Sequence, residues 1–503
     1  MCGITGIISK IVNTTNNQVK NDLYASLLNI QHRGQDACGY VLNTASGSTS
    51  SDASSTIVFK GRGLVKNTIS YNKMLEVEGN CDIAIGHVRY PTTSGKGDEE
   101  SQPFTIQTKT GITISIVHNG NLYDYNAFKK DILAGDYKPK TESDTEFLLS
   151  AIAYLIDNVA KEKQYVTASE ILKNFSNIIS VVLKKLYAQI KGSYSVLLLI
   201  ENYGLVGFCD KYAVKPLILG ETDYNFMFVS ESIALDVLDY TVLYNIKPYS
   251  VYTIFNNYGD SRNLTIHTAG INSNNELDIR PCIFEYVYFA RPESVIHNIS
   301  VYETRCNMGS FLASKIRRVL TDDELTEIDT IIPVPDTSVV SSCELSAKLH
   351  KPIKFGIIKN RYIDRTFIMK NNAERTSNIK QKLYVIEREV KGKNIIIVDD
   401  SIVRGNTCFH TIKELRKSGA NKIYLAVCCP QIRYKNVYGI DIPVATELIA
   451  HNRSDEEIAR CIDADKVIYQ DLEDLKKAVS GVSTNISGIK DFELSVFNGE
   501  YIT

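Results

Sequence analysis

NIIIVDDSIVRGNTCFHTIKEL, residues 394–415 of a 503-residue chain, decides the architecture of the second half. Four consecutive β-branched residues, Ile395–Val398, suit a strand buried on both faces. The strand delivers two adjacent carboxylates, Asp399 and Asp400. A loop containing Gly405 follows, and then the helical pattern HTIKELRKSGA (410–420). A helix N-terminus offers unpaired N–H groups and a positive dipole end, so this loop suits a phosphate. Acids beside it suit ribose hydroxyls, or a Mg²⁺ held partly by phosphate oxygens. A bare acid pair is as often a plain strand end. The full order of strand, acids, S-I-V-R-G and helix sets that reading aside.

The pattern repeats outward. TIIPVP (330–335), PIKFGII (352–358) and KIYLAVCCP (422–430) are apolar runs separated by helical segments, which argues for βαβ units and a parallel sheet. Before about residue 300 the chain changes character. IAIGHVRY (83–90), ITISIVHNG (112–120), SYSVLLLI (193–200) and NFMFVSES (225–232) read as strands, and EFLLSAIAYLIDNVAK (146–161) as a helix. The Ser/Thr-rich NTASGSTSSDASST (43–56) reads as a hairpin loop without function. The seam is expected within 245–290, dividing the chain into 2–255, 256–475 and a tail, 476–503.

Composition narrows the function classes. Fifty-six basic and 58 acidic residues leave a net charge of −2, so no global pull toward nucleic acid or anionic membrane is implied. No run approaches the length of a membrane span. Eleven cysteines without framework spacing imply a reducing compartment, and no zinc motif is present.

The 394–415 stretch resembles the PRPP (phosphoribosyl pyrophosphate) signature of type I phosphoribosyltransferases. IIPVPDTS (331–338) looks like their pyrophosphate loop, with Ser338 where a metal ligand can stand. FGIIKNRYIDRTFIM (355–369) looks like the loop that folds over PRPP, and Lys359, Arg361 and Arg365 would face its pyrophosphate charge. With CIFEYVYFARPES (282–294) and GIDIPVATELIAHNR (439–453), these motifs resemble the glutamine PRPP amidotransferase family along nearly the whole chain. The resemblance implies an α+β N-terminal nucleophile (Ntn) hydrolase domain of four αββα layers, followed by an α/β type I phosphoribosyltransferase domain with a parallel sheet.

It also gives meaning to the opening, MCGITGIISK. Once Met1 is removed, Cys2 carries a thiol and a free α-amine. Such an amine titrates near 7.7–8.0 and can serve as general base near neutral pH, directly or through a water. The thiolate would attack the glutamine amide, form a thioester and release ammonia. QHRGQDACG (31–39) would lie near that substrate. Arg89 in GHVRYPTT (86–93) would fork onto the glutamine carboxylate. Asn119 and Gly120 in HNGN (118–121) would form the oxyanion hole. Asp144 in ESDTE (142–146) would hold the glutamine ammonium, within an S-x-x-E capping box formed by Ser143 and Glu146. His32, His87 and His118 are expected to be structural, because the amine supplies the base.

In the second site the resemblance implies that ammonia, kept neutral in a closed passage, displaces pyrophosphate from PRPP to give 5-phospho-β-D-ribosylamine. Asp399 and Asp400 would bind ribose hydroxyls or Mg²⁺; Ser401, Arg404, Gly405, Asn406 and Thr407 would cradle the 5-phosphate. It further implies purine nucleotides as feedback inhibitors, a homotetramer and a cytoplasmic enzyme. Some relatives carry a propeptide and an iron–sulfur cluster; neither is expected here, since Cys282 alone stands at a cluster position and Asn436 replaces a second. Three other departures are Asn406 for threonine, Lys370 for proline, and CDKYAVKPL (209–217), with Ala213 for glycine and Lys215 for arginine. The rival readings are another Ntn amidotransferase, such as glucosamine-6-phosphate synthase, and an idle sensor of PRPP or purine nucleotides.

Overall fold

The computed structural model describes residues 1–11, 17–45, 54–90, 98–256, 264–271, 277–360, 383–442, 444–482 and 488–502. Two sheets stack in the first half. One has seven strands, with Gly3–Ser9 at its centre between Asn225–Val229 and Asn80–Arg89, both antiparallel. The other has six, with Thr113–Asp124 between Phe104–Gln107 and Lys191–Ile200.

Period-2 patterning builds the layers. Along the first strand Ile4 and Ile8 point between the sheets, where they meet Val117, Leu197 and Leu205. Ile7 points the other way, onto Val19, Leu23 and Leu27 of helix Gln18–Asn29. On the outer face of the second sheet, helices Asp144–Glu162 and Phe175–Gln189 lay Leu148, Ile152, Ile179 and Val182 against Ile114, Ile116 and Val196. The result is the expected αββα sandwich.

The second half holds a four-stranded parallel sheet in the order Thr330–Pro333, Ile395–Asp399, Ile423–Val427, Lys466–Tyr469. Its strands are buried throughout except at Asp399 and Lys466, as their unbroken apolar runs require.

Three expectations change. The first domain does not stop at 255: Ser250–Asn256 pairs with Leu264–Gly270, so its second sheet runs to Gly270. The division at 475/476 falls inside helix Leu472–Ser480, and beyond it Glu493 bridges to Cys282 and Phe497 stacks on Phe284. The Ser/Thr-rich stretch is partly ladder, with Asn43, Thr44 and Ala45 opposite Thr56, Ser55 and Ser54. Its middle, 46–53, lies outside the described residues.

Candidate active sites in the two halves

Cys2 directly precedes the central strand Gly3–Ser9, so the sheet fixes where its sulfur sits. The Tyr90 N–H, just past the neighbouring strand, lies 3.4 Å from Cys2 Sγ. The Cys2 carbonyl accepts from Arg33 Nε at 3.0 Å. Met1 is 2% exposed and packs with Val214, Cys282 and Ile283 in the core of the second half. Burial pushes its amine well below the ordinary range, with Lys215 and Arg33 adding to the effect. Lys215 is also buried, its Nζ 2.6 Å from Met1 Sδ.

The HNGN segment is mid-strand, with Asn119 opposite Ser195 and Gly120 opposite Tyr194. Neither side-chain polar atom of the buried Asn119 has a hydrogen-bond partner among the described residues. A buried amide without partners is costly, and a carbonyl oxygen gathering negative charge would satisfy it. Gly120 has φ +153°, and a Cβ there would lie 1.9 Å from the Ser193 carbonyl. The same segment is held from the second half, where the Val437 carbonyl accepts from Asn121 at 2.9 Å and the Tyr438 carbonyl from Ser193 at 3.0 Å.

Arg89 is buried between Asp36 and Glu100, each 3.5 Å away. Asp144 starts its helix and accepts from the Leu122 N–H at 3.0 Å. The capping box does not form. Ser143 makes no side-chain cap, and Glu146 reaches back to the N–H and hydroxyl of Thr141, both at 2.7 Å. Burial lowers the pKa of His87 and His118; His118 bonds Thr145 at 3.1 Å. His32 instead pairs with Glu231 at 2.9 Å.

In the second half the expected order is present. Asp399 ends its strand, and Gly405 precedes helix Asn406–Lys417 at φ +79°. Burial and the neighbouring Asp400 push the Asp399 carboxyl well above its ordinary range. Asp399 accepts from the Asp400 N–H at 2.9 Å, and Asp400 from Ser401 Oγ at 2.6 Å. Arg404 pairs with Glu447 at 2.8 Å, and Lys359 with Asp336 at 2.6 Å. Asn406 and Thr407 are exposed at the start of the helix. Ser338 is 1% exposed and donates to the Val334 carbonyl at 2.6 Å, so reaching a metal requires it to give up that bond. Arg361, Arg365 and Lys370 lie outside the described residues. A Mg²⁺ fits the adjacent acids, since a cation would relieve the repulsion that raises Asp399, and this ion commonly takes one or two carboxylates plus substrate phosphates.

Comparison with known proteins identifies the two halves. Residues 89–237 match the glutamine amidotransferase domain family and 310–444 the phosphoribosyl transferase domain family. An amidophosphoribosyltransferase of Pseudomonas aeruginosa is 40% identical over all of this chain and 93% of its own length. That of Saccharomyces cerevisiae is 37% identical over all of this chain and 92% of its own length. The chain belongs to the amidophosphoribosyltransferase family. The solved glutamine PRPP amidotransferase of Bacillus subtilis, complexed with ADP and GMP, superimposes with TM-score 0.80 at 29% identity, covering 100% of this chain and 97% of that one. A phosphoribosyltransferase second half removes the glucosamine-6-phosphate synthase alternative, which requires a sugar-isomerase domain there.

Sequence reasoning missed three partners: Arg33 on the Cys2 carbonyl, the Tyr90 N–H on its sulfur, and the Val437–Tyr438 support behind HNGN. Arg33 lay inside a quoted motif, QHRGQDACG, but a buried charge carries no mark of its partner.

Proposed function

We propose that this chain converts glutamine, PRPP and water into 5-phospho-β-D-ribosylamine, glutamate and pyrophosphate, the first committed step of purine synthesis, with Cys2 as nucleophile. One observation carries the reading: Met1, on the amine side of Cys2, is buried in the core of the phosphoribosyltransferase half. The amine side of Cys2 therefore adjoins the core of the domain that consumes the product.

After Met1 is excised, the Cys2 amine takes the thiol proton, and the sulfur attacks the amide carbon. Asn119 Nδ2 and the Gly120 N–H receive the oxyanion; the protonated amine then gives its proton to the amide nitrogen, so collapse expels ammonia and leaves a thioester, which water opens to glutamate and the free thiol. Arg89 and Asp144 anchor the carboxylate and ammonium of glutamine. A free α-amine titrates near 7.7–8.0, so the amine that excision leaves on Cys2 can serve as a base near neutral pH.

In the second half the Ser401–Thr407 loop and the helix start at Asn406 hold the 5-phosphate, while Asp399 and Asp400 hold ribose hydroxyls or metal. Lys359 faces pyrophosphate charge, and Arg361 and Arg365 extend that role in the segment beyond it. Mg²⁺, when bound, neutralises charge on the departing pyrophosphate. The reading includes no iron–sulfur cluster; Asn436, at one cluster position, has its side-chain oxygen accepting from the Tyr438 and Ile440 N–H groups at 2.8 and 2.9 Å. Nucleotides in the Bacillus subtilis relative support purine nucleotides as regulators here. A homotetramer and a cytoplasmic location complete the reading; no helix among the described residues is long and apolar enough to cross a membrane.

The test is to supply glutamine or ammonia with PRPP and Mg²⁺ and to follow glutamate and pyrophosphate together. Cys2→Ala should abolish glutamine-supported turnover and leave the ammonia-supported reaction running. Full glutamine-supported turnover in that variant, or full activity with Met1 retained, overturns the assignment.

A further inference from the structure

Arg33 ends a short turn, Gln31–Arg33, and is 1% exposed. All three of its nitrogens are engaged. Nε donates to the Cys2 carbonyl at 3.0 Å. Nη1 reaches Glu231 Oε2 at 2.8 Å and Glu285 Oε2 at 2.9 Å, and Nη2 reaches Glu285 Oε1 at 2.7 Å. The Glu285 contact is a two-point fork, which fixes the guanidinium plane as well as its position. Glu231 is itself held by His32 at 2.9 Å, by the Arg291 N–H at 2.7 Å and by Ser294 at 2.8 Å.

The two carboxylates come from different halves. Glu231 follows a strand of the seven-stranded sheet. Glu285 sits among Cys282, Ile283, Tyr286 and Val287, which pack into the core of the phosphoribosyltransferase half. It opens a five-residue π-helical turn, Glu285–Phe289. Arg305, buried on helix Val301–Val319, donates to the carbonyls of Tyr286 at 3.0 Å and Ala290 at 2.8 Å and so holds both ends of that turn. A π turn held this way is a built feature, and such turns recur at functional sites.

We propose that Glu285 is a positioning residue of the glutaminase, contributed by the other half: through Arg33 it fixes the Cys2 carbonyl and thereby the directions of the amine and sulfur on the same residue. The proposal rests on Cys2 as nucleophile. It goes beyond that reading by making the glutaminase incomplete without a carboxylate from the acceptor domain. Small displacements of a reacting group cost up to about 10²-fold in rate, so a clasp two bonds from the nucleophile's Cα matters.

The full-length Glu285→Gln variant tests this. The amide keeps the shape, and Glu231 keeps Arg33 paired, so folding has support. Glutamine hydrolysis should lose about 10- to 100-fold in kcat with the KM for glutamine little changed, and alkylation of Cys2 by iodoacetamide should slow in parallel. The ratio of glutamine- to ammonia-supported pyrophosphate release should fall by the same factor. Arg33→Lys, which keeps the charge but loses the Nε bond and the fork, should reproduce that selective loss. Equal loss of glutamine- and ammonia-supported turnover would mark Glu285 as scaffold only, and an unchanged ratio would remove it from the site; either overturns the proposal. Failure of the nucleophile assignment shows separately, as glutamine-supported turnover surviving Cys2→Ala.

Discussion

Lys359 Nζ lies 2.6 Å from Asp336 Oδ2, joining strand Ile357–Lys359 to the loop after strand Thr330–Pro333. An ammonium proposed to meet pyrophosphate is thus shared with a carboxylate that pyrophosphate must displace or repel. The side chains are 31% and 60% exposed, so solvent screens the pair, and its worth is at most about 1 kcal/mol. Asp336→Asn should therefore lower the KM for PRPP, by no more than about fivefold, and the gain should shrink as salt is added. A raised KM in steady-state assays would mean that Asp336 helps bind PRPP instead of competing with it.

Asn119 and Gly120 are separable by experiment. Asn119→Ala removes one oxyanion donor from a buried position and should cost about 10²- to 10³-fold in kcat for glutamine hydrolysis. Gly120→Ala places a methyl 1.9 Å from a backbone carbonyl of the paired strand, which cannot retreat without breaking the ladder. It should lower both the thermal midpoint and the glutaminase rate, whereas Asn119→Ala should lower the rate alone. Thermal melts beside the kinetics distinguish them.

Sequence carried the parts that are local. Strand, acids, loop and helix at 394–415 lie in one continuous run, so their juxtaposition follows from chain connectivity. HNGN was equally plain as a strand segment, because all four residues lie within Thr113–Asp124. The capping box failed although local, since Glu146 found Thr141 a better partner than the helix start. What could not be read was the meeting of distant charges. Arg33 and Glu285 are 252 positions apart, and Arg33 and Glu231 198, with nothing in either neighbourhood that encodes the pairing. The end of the first domain was misplaced for a similar reason, because the strand Leu264–Gly270 is defined by its partner more than by its composition.

Gly405 tests the phosphate loop. At φ +79°, an alanine there is strained by about 1–2 kcal/mol, and its Cβ would lie 2.4 Å from Ile449 Cδ1. The clash involves the tip of a flexible side chain, whereas the dihedral is fixed by the turn into the helix, so the backbone term decides. Gly405→Ala should raise the KM for PRPP in both glutamine- and ammonia-supported assays. Adding Ile449→Val removes the clashing atom and should not restore it. Recovery in the double variant would show that packing, not conformation, excludes a side chain here.

Glu231 sets an acid limit on stability. Burial pushes its carboxyl up, but His32, Arg33 and the Arg291 N–H outweigh burial and hold it at about 2. An unfolded glutamate titrates near 4.3. The folded group is therefore depressed, so its contribution is fully present above about pH 4.3 and is lost as pH falls toward 2. A shift of this size corresponds to about 3 kcal/mol for a fully buried group. Urea unfolding at steps from pH 5 to pH 3 should show wild-type stability falling faster than that of Glu231→Gln, the two curves converging at the acid end. Parallel curves across that range would mean that the carboxylate gains nothing from its clasp with Arg33 and His32.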